Sequence, residues 1–150
     1  MKNIQYRPIG IIHSPFKGRE EAPLQPRLSN GVRGTIELQP DYVDGLSDLQ
    51  KFSHIVLVYH FHLSQGFALT VRPSHGGSLH GLFATRSPDR PNPIGLSVVH
   101  LETIEKNVLY VLNIDIVDGT PLLDIKPFIP TLAQQYGANL GWLPEMYADK

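Results

Sequence analysis

Between Thr85 and Leu96 the chain reads Thr-Arg-Ser-Pro-Asp-Arg-Pro-Asn-Pro-Ile-Gly-Leu, with Pro88, Pro91 and Pro93 close together. Each proline fixes φ and removes a backbone donor. Each also drives the residue before it (Ser87, Arg90, Asn92) toward extended geometry. No helix and no central strand passes through such a segment. It is a stiff loop, so ordering it on a ligand costs little. It displays Arg86, Ser87, Asp89, Arg90 and Asn92. Guanidinium groups suit bidentate capture of a carboxylate or phosphate. Gly95 permits a close approach to the backbone as the chain leaves the loop. Polar density combined with enforced rigidity points to a binding loop rather than a passive connection.

The same punctuation recurs along the chain. Thirteen Gly and thirteen Pro stand in clusters among 150 residues, which divides the sequence into short strands and shaped loops. The pattern predicts strands at Ile4 to His13, Gly31 to Leu38, Ser53 to Leu63, Leu79 to Thr85, Leu96 to Ile104, Val108 to Val117 and Ile125 to Ile129, with a weaker one at Phe67 to Arg72. In Ser53 to Leu63, Ile55, Leu57, Tyr59 and Phe61 share one face. His54, Val56, Val58, His60 and His62 share the other. In the arm after Glu105-Lys106-Asn107, Val108, Tyr110, Leu112, Ile114 and Ile116 alternate on one face, and Asn113, Asp115 and Val117 point the other way. Pro40 to Phe52 carries Val43, Leu46, Leu49 and Phe52 at three-residue steps, which fits a short helix or helical turns. Ser14 to Asn30, with Pro15, Pro23 and Pro26, is a long loop. Strand patterns dominate and βαβ spacing is missing, so the expected class is mainly β and not Rossmann.

The length suits a single domain, residues 1–150. Hydrophobic residues make up 41% and charged residues 18%, a composition that folds. The net charge of -1 excludes a global basic field, so any nucleic acid would meet a local patch or a shaped pocket. The absence of cysteine excludes disulfides, thiolate catalysis and cysteine zinc sites. No signal peptide is expected, and Ile55 to Phe61 is too short to span a bilayer. A cytoplasmic protein without a membrane anchor is the expectation.

Three further groupings carry chemistry. Asp115-Ile116-Val117-Asp118-Gly119-Thr120-Pro121, with Asp124-Ile125-Lys126-Pro127 after it, places carboxylates at a strand's end. They would receive a ribose hydroxyl pair or an amino group, or Asp118 and Thr120 would only cap a turn. His60 and His62 have the spacing of a metal pair on a barrel wall, but no carboxylate follows in Leu63 to Val71, so no metal is expected. Ala22-Pro23-Leu24-Gln25-Pro26-Arg27, within the long loop, would suit adenine or ribose edges, or is an ordinary surface loop.

Taken together, these blocks resemble the TrmO family, also known as TsaA-like or YaeB-like proteins. The resemblance covers Ile9-Gly-Ile-Ile-His-Ser-Pro-Phe16, Phe52-Ser-His54, Phe61-His62, Thr85 to Gly95, Asp118 to Pro121 and Asp124 to Pro127, in the family's order. It implies a compact β-barrel-like domain in its short single-domain form and a homodimer. It implies an S-adenosyl-L-methionine-dependent methyltransferase acting on N6 of threonylcarbamoyladenosine at position 37 of a tRNA anticodon loop. Carried over by position, the cofactor pocket would involve Pro23, Leu24, Gln25, His62, Leu63, Arg86, Leu96, Asp115, Ile116, Val117 and Asp118. The sulfonium loses charge in the transition state, so backbone carbonyls are expected near sulfur, with Asp115 and Asp118 left for the sugar or amino group. Candidate proton acceptors are His62, Asp118 and Lys126. Arg90, Asn92 and Lys126 are the expected substrate contacts. The alternatives are an S-adenosylmethionine-binding protein without tRNA activity, or a methyltransferase for a small molecule.

Overall fold

In the computed structural model, residues 1–23, 30–73, 76–130 and 136–143 are described. Six strands close into an antiparallel barrel, and two short ones form a separate ribbon. The barrel strands are β1 (Gly10–His13), β2 (Arg33–Leu38), β3 (His54–His60), β6 (Ile94–Glu105), β7 (Val108–Leu112) and β8 (Thr120–Pro127). Their order around the wall is β1-β2-β7-β6-β3-β8. The ribbon pairs β4 (Thr70–Val71) with β5 (His80–Gly81). Pro40–Leu46, Leu49–Lys51 and Leu82–Ala84 are 3-10 turns.

The core follows from strand parity. Ile55, Leu57 and Tyr59 point inward from β3 and are buried. They meet Ile12, Ile36, Val99, Leu109, Val111 and Leu122 in one cluster. Burial of this kind stabilises by roughly 1.5–3 kcal/mol for each large aliphatic or aromatic side chain. Closure removes exposed sheet edges from the barrel.

Several sequence boundaries shift. Strand structure in the first segment begins only at Gly10, and of the short helix or helical turns expected at 40–52 the structure has the turns, two of 3-10 type. The segment 79–85 holds a two-residue strand and a turn, and 67–72 holds only Thr70–Val71. The last strand starts five residues earlier than expected, at Thr120.

The largest correction lies after the β6–β7 hairpin. Strand β7 ends at Leu112, and Asn113 takes a left-handed φ of 67°. Its amide side chain makes this possible by accepting the Gly31 N–H at 2.7 Å, while its own N–H donates to the Val32 carbonyl at 2.8 Å. A residue in this conformation breaks the two-residue alternation. Leu109 and Val111 therefore face the core before the break, and Ile114 and Ile116 face it after. Tyr110 and Leu112 do not share their side. Gly34 admits the crossing segment, since a Cβ there would lie 2.7 Å from Ile114 Cδ1.

Candidate functional site

Antiparallel register puts the ends of β1, β3, β6 and β8 together. Ile12 pairs with Thr120, His60 with Ile94, and Tyr59 with Leu122. The connections leaving these ends (residues 14–23, 61–69, 82–93 and 113–119) gather at one mouth of the barrel.

The proline-rich loop arrives there already braced. The Arg90 guanidinium donates from Nη1 to the carbonyls of Thr85 at 2.9 Å and Ser87 at 3.0 Å. Thr85 Oγ1 accepts the Ser87 N–H at 3.3 Å. Arg90 thus holds the loop's own backbone. Asp89 ties three loops together. It accepts from Arg19 Nη2 at 2.9 Å, Ser64 Oγ at 3.1 Å and the Gln65 N–H at 3.3 Å. The Arg19 hydrogen bond, with those from Gln65 and Ser64, holds the Asp89 carboxyl below the ordinary carboxylate range against the effect of burial.

Gly95 is the second residue of β6 and pairs with Tyr59 on β3. A Cβ there would fall 2.3 Å from the Tyr59 ring and 2.7 Å from Phe61. The close approach anticipated from the sequence is made by these two rings, which meet edge to face at 5.3 Å. Aromatic cover of a cross-strand glycine pins the register.

Asp118 and Asp115 occupy opposite faces of the crossing segment. Asp118 accepts the Ser14 N–H on Oδ1 at 3.0 Å and the Lys17 ammonium on Oδ2 at 3.2 Å. The Asp118 N–H donates to the Phe16 carbonyl at 2.7 Å. The Ser14 hydrogen bond first, then Lys17 and His13, hold its carboxyl below the ordinary value. Beside it Ser14 Oγ donates to the Ile116 carbonyl at 2.5 Å, and Thr120 Oγ1 donates to the Val117 carbonyl at 2.6 Å. Asp118 is therefore a clasp between the first loop and the crossing segment.

Asp115 points toward the barrel wall. It accepts from Ser97 Oγ at 2.6 Å, and Ser97 Oγ lies 2.8 Å from the Tyr59 hydroxyl. Burial pushes the Asp115 carboxyl up; the Ser97 hydrogen bond, its own N–H and the field of Arg86 oppose this. Burial and the Asp115 charge raise Tyr59 far above the ordinary phenol value.

His62 lies just past β3, with Nδ1 3.4 Å from Thr120 Oγ1. Partial burial and then the neighbouring His60 lower its pKa. His62 and Leu63 line a cleft of about 330 Å³ with Gly18, Arg19, Glu20, Ser64 and Gln65. Asn92 lines a second cleft of about 370 Å³ with Tyr6, Pro8, His60, Ile94 and Pro121 among its walls. Among the described residues no group of three or more His, Cys, Asp or Glu side chains is arranged to hold a metal ion.

Of the residues expected at a site, His62, Leu63, Arg86, Asn92 and the segment Asp115 to Asp118 lie on connections at the same end of the barrel, His62 and Leu63 lining one cleft and Asn92 the other; Leu96 lies within β6, exposed and opposite Val58. Pro23 lies on the first loop and is half-buried, while Leu24 and Gln25 lie outside the described residues. Lys126 is elsewhere. It sits six residues along β8 from Thr120, roughly 20 Å at the rise of an extended strand, and pairs with Asp124 at 2.9 Å. The three proton-acceptor candidates therefore do not form one cluster. Sequence reasoning missed Ser14, Arg19, Tyr59 and Ser97. Ser97 and Tyr59 did leave a signal, since each is a polar atom at an inward strand position. Arg19 left none, being 70 residues from its partner Asp89.

Residues 11–134 match the family model for the tRNA-methyltransferase O N-terminal domain. A probable S-adenosyl-L-methionine-binding protein of Pyrococcus abyssi is 49% identical over 93% of the chain and 76% of its own length. The tRNA (adenine(37)-N6)-methyltransferase of Escherichia coli K12 is 39% identical over 87% of the chain and 60% of its own length. A crystal structure of TrmO from Pseudomonas aeruginosa superposes with a TM-score of 0.78 at 39% identity, covering 93% of the chain and 62% of that structure. The chain thus spans less than two thirds of the latter two.

Proposed function

The chain belongs to the TrmO family, and from that premise we propose that it is an S-adenosyl-L-methionine-dependent methyltransferase acting on N6 of threonylcarbamoyladenosine at position 37 of tRNA. It acts on the anticodon loop as a cytoplasmic homodimer, with residues 1–150 forming one domain. The observation that carries the reading is the mouth itself, where the proline-rich loop with exposed Arg86, the end of β3 before His62 and the segment Asp115 to Asp118 leave the same end of the barrel.

The residues present suit such a cofactor. Arg86 is an exposed cation suited to a carboxylate. Asp115 is an acceptor suited to an amine or a ribose hydroxyl. Leu63 and Leu96 are exposed apolar side chains suited to the faces of a purine. When bound, the cofactor supplies an electrophilic methyl group on a sulfonium. The protein's own contribution is orientation, which is worth up to about 7–11 kcal/mol in favourable cases. Arg90 and Asp89 keep the loop fixed while Arg86 engages its anion. His62, whose pKa is lowered by partial burial and by His60, accepts the proton released by the substrate nitrogen. Asp118 is committed to Ser14 and Lys17 and is left out of proton transfer. Position 37 lies in a single-stranded loop, so its base is extruded at low cost. Asn92, which lines the second cleft, contacts that base in this reading.

The name of the Pyrococcus relative favours a second reading, cofactor binding without tRNA activity. The two separate in one pair of experiments. Calorimetry with S-adenosyl-L-methionine tests binding. Mass spectrometry of tRNA nucleosides from cells lacking the protein tests activity, with loss of the N6-methylated nucleoside as the expected result. An unchanged nucleoside profile alongside cofactor binding would leave the second reading standing.

A further inference from the structure

We propose that Ser97 and Tyr59 are positioning residues, a hydroxyl relay anchored in the barrel core that fixes the Asp115 carboxylate to receive the amine or a ribose hydroxyl of the cofactor. The inference rests on the cofactor reading above and adds two residues of the barrel wall to it.

Three elements meet in the relay: Tyr59 on β3, Ser97 on β6 and Asp115 on the crossing segment. Ser97 is one of three buried polar side chains among the described residues, with Ser14 and Thr120. The other two donate their hydroxyl protons to nearby backbone carbonyls, Ile116 and Val117. Ser97 instead has a side-chain partner on each side.

The direction of the chain follows from proton counting. An ionised carboxylate only accepts, so the single Ser97 proton goes to Asp115. The Ser97 oxygen is then left as an acceptor, and Tyr59 must donate to it. Both hydroxyl rotors are fixed, and so is the rotamer of Asp115. Tyr59 is itself immobile, buried to 5% exposure with its ring laid over Gly95. Burial keeps its phenol protonated, so the donor is always present.

A passive core would not keep this chain. Replacing both partners of a buried hydrogen bond with apolar groups of the same shape is nearly neutral. Polar atoms at these inward positions serve the carboxylate they hold. Arg86 and Tyr59 are the other ionisable side chains acting on Asp115 among the described residues. Arg86, the guanidinium proposed to take the cofactor's carboxylate, is exposed, while Asp115 is held from the core side by Ser97.

The test is calorimetric titration of S-adenosyl-L-methionine into wild type, Ser97→Ala, Ser97→Thr and Tyr59→Phe across a pH series, with thermal melts of each. Ser97→Ala is expected to weaken binding about tenfold or more. Its acidic limb of affinity moves to higher pH, because Asp115 has lost a donor to its charged form. Ser97→Thr restores both. Tyr59→Phe moves both in the same direction by less, since Ser97 keeps its donation and loses only its anchor. A lower melting temperature with affinity and acidic limb unmoved in Ser97→Ala and Tyr59→Phe would reduce the relay to packing and overturn the proposal, leaving the cofactor reading intact. Wild type that fails to bind S-adenosyl-L-methionine would remove both.

Discussion

Asp115 and Asp118 stand three residues apart on one crossing segment and do opposite things. Asp118 faces the first loop, where a backbone N–H and a lysine hold its charge in place. Asp115 faces the wall, where a serine hydroxyl holds it and burial works against its charge. One carboxylate is stabilised by its surroundings and closes the fold. The other is retained in spite of its surroundings, the usual mark of a group kept for chemistry. Their pH signatures oppose each other. The depressed Asp118 contributes stability that is present above the unfolded carboxylate pKa and lost as pH falls through its folded value. The raised Asp115 binds its proton more tightly in the folded state, so stability declines as pH rises from the unfolded value through the folded one.

The most damaging test of the wall side is Gly95→Ala. Its Cβ meets the Tyr59 and Phe61 rings, and such overpacking costs about 1–3 kcal/mol. A melt should show a drop of several degrees, and calorimetry should show weaker cofactor binding because Tyr59 has shifted. An unchanged melt would mean the rings can move aside. The paired substitution Asp118→Asn and Asp115→Asn sharpens the contrast next. Asp118→Asn is expected to cost about 1–2 kcal/mol and to flatten the acid loss of stability seen in pH-dependent melts. Asp115→Asn is expected to raise stability at pH 7 while weakening cofactor binding. If both destabilise equally, the division between clasp and site fails.

Arg90→Ala comes third, at about 1 kcal/mol, because two loop carbonyls lose their donor. The sequence reading set Arg90 against substrate, whereas its observed partners are the loop's own carbonyls. Loss of cofactor affinity and of tRNA methylation together is therefore expected from titration and assay. Loss of methylation alone would return Arg90 to the substrate. Lys126→Ala should do least. Its pair with Asp124 is exposed and worth less than about 1 kcal/mol, and methylation should be unchanged. A large fall in activity would bring the far end of β8 into the site.

Much of the barrel was legible from the residues. The alternation in β3 foretold which of its side chains are buried, because a strand's parity is set by covalent geometry. The hairpin around Lys106 was legible as a turn. The break at Asn113 was not, since asparagine takes a left-handed φ only where partners such as Gly31 and Val32 reward it. Missing that break placed Tyr110 and Ile116 on one face. The family resemblance named a set of candidate site residues; which of their polar groups the fold ties up, as it does those of Asp118 and Arg90, was not legible.

What the chain's own residues determined was local. Three prolines stiffened the loop from Thr85 to Leu96 whatever surrounds it, because each fixes φ within its own ring. What tertiary structure decided was which polar groups of that loop are spent and which remain. Asp89 is committed to Arg19 and Arg90 to loop carbonyls, while Arg86 is left exposed. Hydrogen bonds between residues tens of positions apart depend on barrel closure, and closure is a property of six strands together.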